Sequence, residues 1–195
     1  MSKYIVLRDR RVKVGGVPAR PGLTIINTSE TEPLSRAFSA IRAATRRGPA
    51  KALFIVCHGA GRTSHDDKIS IEGGGSGLQL GADCVFNSNV VRWTAIAGAV
   101  EEIVVYACRA AVTLPGREGT GSDGKYMMGA LALHTKATVY AADQIQIYHP
   151  AGGTEHGRFK MGAWEGQVWE FPPSGAGPSH ARAMPKSIDS VFKGH

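Results

Sequence analysis

The sequence predicts an α/β domain: a mainly parallel sheet flanked by helices. Short apolar runs at 52–57, 103–107 and 137–142 read as strands covered on both faces. Segments with apolar residues at helical spacing alternate with these runs, the pattern of repeated β-α-β units. A chain of 195 residues, 43% of them hydrophobic, is long enough for one substantial core, so residues 1–173 are expected to form one domain.

In chain order, 4–7 is a first strand, followed by a basic turn region with Gly15, Gly16, Pro18 and Pro21. A second strand spans 23–27. From 33 to 47, Leu34, Ala37, Phe38, Ile41 and Ala44 recur at helical spacing, with Pro33 at the first turn and Gly48-Pro49 at the stop. The run 52–57 is the next strand. Residues 69–72 and 78–80, joined by the glycines of 73–77, read as an inserted hairpin. Asn87 or Ser88 is expected to cap a second helix through Val91 and Ala99, leading into the strand 103–107. Asp123 is expected to cap a third helix over 125–135, which precedes the strand 137–142. The aromatic-rich stretches 157–161 and 166–171 suggest a late hairpin, and the basic, Gly/Ser/Pro-rich segment 174–195 reads as a mobile tail.

Composition excludes several classes. The 25 glycines show no collagen period, and no apolar run approaches the roughly 18 residues that span a bilayer. Charges in MSKYIVLRDRR stand where a signal peptide carries its apolar stretch, so a cytoplasmic location, or export without a Sec signal, is expected. The formal net charge of +7 comes largely from Arg8, Arg10, Arg11, Lys13 and Arg20 and from Arg46, Arg47 and Lys51. These are not interleaved with aromatics, so neither nucleic acid nor membrane is an expected partner. Cys57, Cys84 and Cys108 form no CxxC pair and read as reduced thiols.

In a parallel sheet the functional crevice lies at the carboxyl ends of the strands. There, the run 54–57 ends in His58-Gly59 and the run 104–107 ends in Cys108. If the strands are neighbours, imidazole and thiol face each other, and the imidazole stabilises the thiolate nucleophile. Gly59 lets a carbonyl approach closely, and its N–H with that of Cys108 is suited to stabilise an oxyanion. A single strand-end cysteine or histidine is usually structural. What raises this pair above that reading is its conjunction on two successive strand ends.

Residues 53–59 and 103–108 resemble the two signatures of the caspase-like cysteine peptidases, the clan that includes caspases, gingipains and legumain. Their separation, 50 residues, coincides with the caspase spacing of about 50. More narrowly, 77–81, Tyr106-Ala107-Cys108 and 131–143 are similar to a caspase-like domain found near the start of large bacterial surface proteins. The resemblance covers roughly 23–147. It implies a caspase-like peptidase fold with His58 as base and Cys108 as nucleophile, and no cofactor. Metacaspases carry an acidic residue two positions before the cysteine and caspases a glutamine, whereas this chain has Tyr106, so neither specificity transfers.

The expected function is therefore a cysteine endopeptidase acting on a polypeptide substrate, with His58, Cys108 and Gly59 catalytic. Tyr106, Asp66, Asp67 and Asp143 are the substrate-binding candidates, the aspartates because they would select a basic side chain before the cut. Arg117, in the small and polar stretch 115–124 expected to be exposed and mobile, is then a candidate self-processing site. The alternative is a catalytically inactive module of the same fold that binds a peptide without turnover.

Two competing sites are less consistent with the residues present. Residues 119–125 fit GxxxxGK, but Tyr126 stands where a phosphate-binding loop needs Ser or Thr. A metal held by Cys57, His58, His65, Cys84 and Cys108 is disfavoured because adjacent strand residues such as Cys57 and His58 point to opposite sides.

Overall fold

The computed structural model describes residues 3–13, 19–62, 69–70, 75–146 and 164–193. In chain order its elements are β1 (Tyr4–Asp9), β2 (Leu23–Thr28), α1 (Leu34–Ala44), β3 (Ala50–Val56), β4 (His58–Arg62), β5 (Ile69–Ser70), β6 (Gly77–Gln79) and β7 (Val85–Phe86). A 3-10 helix (Val90–Ile96) follows, then β8 (Val100–Tyr106), α2 (Gly124–Thr135), β9 (Thr138–Ala142), β10 (Val168–Phe171), β11 (Ser179–His180) and α3 (Ile188–Lys193).

The expected α/β architecture is present. A seven-stranded sheet runs β11-β10-β9-β8-β3-β1-β2, parallel from β2 to β9 and closed by antiparallel β10 and β11. Alternation along each strand sorts its side chains to two faces. Ile5, Leu7, Leu53, Ile55, Ile103, Val105 and Val139 pack against α1, the 3-10 helix and α2 through Phe38, Ile41, Trp93, Met127 and Leu131. Val6, Phe54, Val56, Val104 and Tyr106 point the other way, where Ile188 and Trp164 cover them. Both faces being covered is why these strands read as unbroken apolar runs.

Local chemistry sets the boundaries. Asp123 accepts from Lys125 N and Tyr126 N at the start of α2, as a cap should, and Lys136 ends the helix in the left-handed conformation. The expected second helix is instead a 3-10 turn that begins after Asn89. Asn89, rather than Asn87 or Ser88, organises this entry: its side-chain oxygen accepts from Phe86 N, and its amide donates to the carbonyls of Asp83 and Cys84.

Two further expectations change. Of the expected hairpin, residues 69–70 and 77–79 do not pair with each other; β5 and β6 lie on opposite sides of β4 in a separate sheet of order β5-β4-β6-β7, and 71–74 lie outside the described residues. The strand between them is His-Gly-Ala-Gly-Arg, whose glycines conceal it from a reading that looks for apolar or branched residues. The segment 174–193, expected to be a mobile tail, contributes β11 and α3, and Ile188 is fully buried with its N–H donating to Tyr106 OH at 3.3 Å. Of the late hairpin, 168–171 is a strand pairing with β9 and β11, while 157–161 lies outside the described residues. No helix among the described residues is long and apolar enough to cross a membrane.

Candidate active site

Three strand ends meet at the carboxyl edge of the parallel sheet: Asp9 closes β1, Cys57 and His58 follow β3, and Cys108 follows β8. The strand order reverses between β1 and β3, where open α/β sheets form their ligand crevice. β3 and β8 pair with Val56 opposite Tyr106, and the ladder continues through Cys57 N–H to the Tyr106 carbonyl at 3.3 Å. His58 and Cys108 each lie two positions beyond this last pair, one past Cys57 and Ala107. A Cβ on Gly59 would lie 2.0 Å from the Cys108 carbonyl oxygen, so only glycine lets the two backbones meet.

Past Cys108 the chain turns sharply, with Arg109 at φ 53°, a conformation that costs energy for a side chain other than glycine. Two hydrogen bonds to the end of β9 hold it there, Arg109 N–H to Gln144 O at 2.8 Å and Ala111 N–H to Ala142 O at 2.9 Å. The Cys108 thiol is half-buried and donates to Gln146 O at 3.6 Å. That carbonyl is fixed in turn, because the Gln146 amide donates to Gln144 O and Glu165 O.

His58 is oriented from β1. Its Nε2 lies 3.4 Å from the Arg11 carbonyl. A carbonyl only accepts, so in this contact Nε2 is the donor. Arg11 is anchored by Asp9: Nε reaches Oδ1 at 2.8 Å and Nη2 reaches Oδ2 at 2.7 Å. Asp9 also accepts from the N–H groups of Arg11 and Gly81. Burial pushes the Asp9 carboxyl up, but these bonds outweigh it and hold the group below the ordinary carboxylate range; the same pair raises Arg11.

The remaining sequence candidates fall in different places. Tyr106 is buried, stacked on Trp164 at 4.7 Å between ring centroids and bonded to the backbone of α3. Asp143 lies at the end of β9, its two oxygens accepting from Gln167 N at 3.0 Å and Trp169 Nε1 at 3.1 Å. Asp66 and Asp67 lie outside the described residues, as does His65. Arg117 is exposed, on the loop between Cys108 and α2. Cys57 points into the helix-side core, fully buried, and its burial pushes the thiol well up, so it stays protonated.

The alternatives meet physical obstacles. A phosphate at 119–125 would need the first amides of α2, yet Asp123 already occupies those of Lys125 and Tyr126. Lys125 itself sits 3.3 Å over the Trp169 ring. Among the described residues no three His, Cys, Asp or Glu side chains gather as a metal site. A groove of about 550 Å³ between α2, the loop that carries Glu118 and the segment 175–178 contains none of the catalytic candidates.

Sequence reasoning missed Asp9, Arg11 and Gln146. Asp9 was accessible to it, since Asp9 ends an apolar strand as His58 and Cys108 do. Gln146 was not, because its part depends on how β9 leaves the sheet.

No protein-family model, no curated protein and no solved structure matches this chain.

Proposed function

We propose that this chain is a cysteine endopeptidase of the caspase-like kind, with Cys108 as nucleophile and His58 as its acid–base partner. The observation that supports the reading is the pairing of β3 with β8, whose carboxyl ends lead into His58 and Cys108, with Gly59 packed on the Cys108 carbonyl.

In this mechanism Nδ1 of His58 takes the thiol proton, and the sulfur attacks the substrate carbonyl carbon. Amides of Gly59 and Cys108 stabilise the oxyanion. His58 then passes the proton to the leaving amine, and the carbonyl re-forms as a thioester. Water replaces the amine, losing one proton to His58 as its oxygen bonds to the thioester carbon. The C–S bond breaks, a carboxylic acid leaves, and the proton returns to sulfur. The Arg11 carbonyl accepts from Nε2–H throughout, so the proton that moves is the one on Nδ1. Substrate preference for Arg or Lys before the cut, and self-cleavage after Arg117, belong to the same proposal on grounds of charge complementarity.

The test is a peptidyl acyloxymethyl ketone applied to the native protein and to Cys108→Ala, with the labelled residue located by mass spectrometry. Labelling at Cys108 is the expected result. Equal labelling of Cys108→Ala, or labelling only at Cys57 or Cys84, rejects the reading.

A second reading, a peptide-binding module without turnover, is favoured by one observation: His58 and Cys108 each hydrogen-bond to a main-chain carbonyl. Peptide binding without labelling or hydrolysis would select it.

A further inference from the structure

The loop that follows the candidate nucleophile, rich in glycine and polar residues, is tied into a series of turns. Arg117 N–H donates to Leu114 O at 2.9 Å, Thr120 N–H to Arg117 O at 3.0 Å, and Asp123 N–H to Thr120 O at 3.1 Å. The hydroxyl of Thr120 donates a second bond to Arg117 O at 2.7 Å and accepts from Ser122 N–H at 3.2 Å. Asp123, itself buried, takes Gly119 N–H at 2.8 Å on one oxygen and Thr113 Oγ1 at 2.7 Å on the other. From outside the loop, Asn87 Nδ2 donates to Thr120 O at 3.3 Å.

The carbonyl of Arg117 is the one a protease would attack to cut the Arg117–Glu118 bond. Proteases bind their substrates extended and need that oxygen for their own hydrogen-bond donors. Here the oxygen already has two donors, both from Thr120, and the chain around it is turned rather than extended. The segment on the nucleophile side is held independently: Gly124 N–H donates to Val112 O at 2.9 Å, and a Cβ on Gly124 would strike the carbonyls of Ala110 and Val112 at 2.6 and 2.7 Å. Opening the turns therefore need not disturb Arg109 or Cys108.

We propose that Thr120, with Asn87 and Asp123 behind it, is a latch that holds the Arg117–Glu118 bond closed, so that proteolysis there is gated by the loop's own hydrogen bonds. Cutting adds water across the bond, leaving a carboxyl on Arg117 and an amine on Glu118. The proposal rests on the peptidase reading only for which protease makes the cut; the latch concerns the substrate bond.

The test uses the full chain in the Cys108→Ala background, which removes self-cutting, with trypsin as the protease and intact mass as the readout. Thr120→Ala removes the hydroxyl donor at an exposed position, and Asn87→Ala removes the outer tie. Thr120→Ala is expected to be cut after Arg117 about five- to tenfold faster, the size of one lost hydrogen bond, at an unchanged melting temperature. Gly121→Ala, at a site where a Cβ meets nothing within 4 Å, is expected to behave as the parent. Equal rates for the parent and Thr120→Ala overturn the latch, as does a gain shared by every arginine and lysine in the chain. With Cys108 restored and trypsin omitted, clipping after Arg117 that appears sooner in Thr120→Ala assigns the cut to the chain itself. No clipping in that arm, with the tryptic difference intact, rejects self-processing and leaves the latch standing.

Discussion

The imidazole of His58 rests on the carbonyl of Arg11, with Nε2 3.4 Å from the oxygen, although the two residues stand 47 positions apart in the chain. That carbonyl is immobile because the Arg11 guanidinium grips Asp9, a fully buried carboxylate at the end of β1. His58 is thus positioned by the main chain of a residue whose side chain is held by a buried carboxylate.

Removing the grip should show in both stability and reactivity. Arg11→Ala leaves Asp9 with only backbone donors and is expected to cost about 2–3 kcal/mol, as for a lost hydrogen bond to a buried charge. It should also slow labelling of Cys108 by the acyloxymethyl ketone. Chemical denaturation and labelling rates measure the two effects, and a variant that loses stability at full labelling rate would uncouple the pair from His58.

The same pair makes a pH prediction. The Asp9 carboxyl is held below its ordinary value in the folded protein, so its contribution is fully present above about pH 4 and is lost as pH falls through the lower folded-state value. Urea midpoints between pH 6 and pH 2 should fall for the native protein. In Asp9→Asn that acid-dependent fall is expected to flatten, from a lower starting stability.

Gly59→Ala tests the contact between β4 and Cys108. The Cys108 atoms that the added Cβ would strike are backbone, which cannot swing away as a side chain would, so the strand ends must part. A loss of about 3 kcal/mol is expected, with reduced labelling of Cys108. Gly121→Ala serves as the neutral control in the same thermal melts.

Tyr106→Phe probes the C-terminal cover. It removes only the oxygen that accepts from Ile188 N–H and keeps the ring on Trp164. The expected cost is about 1 kcal/mol. Hydrogen exchange should speed up in α3 and stay unchanged in β3 and β8.

Asp143→Asn separates substrate selection from structure. The carboxylate ties the end of β9 to the start of β10 through Gln167 N and Trp169 Nε1. If it also selects basic residues, a fluorogenic panel with Arg, Lys, Asp, Asn and Leu before the cut should lose its Arg and Lys preference in this variant. An unchanged panel with a lowered melting temperature assigns Asp143 to structure alone.

Much of the scaffold was legible along the chain. The unbroken apolar runs of β3, β8 and β9, the helical spacing of Leu34, Phe38 and Ile41, and the Asp123 cap each report a local demand that the sequence meets residue by residue. Because the crevice of such a sheet lies at its strand ends, His58 and Cys108 could be singled out from order alone. The register that brings their strands together could not, since it depends on which strands pair. Tertiary packing also decided that the glycine-rich stretch after Cys57 becomes β4 between β5 and β6, because its partners lie on both sides of it in space. It decided that Ile188 is core although its surroundings read as a tail, because the sheet face presenting Phe54 and Tyr106 needed covering. Composition likewise described the loop that carries Arg117 as exposed, which it is. The hydrogen bonds that latch it come from Asn87, Thr120 and Asp123, and a donor from another segment meets its acceptor only when the chain has folded.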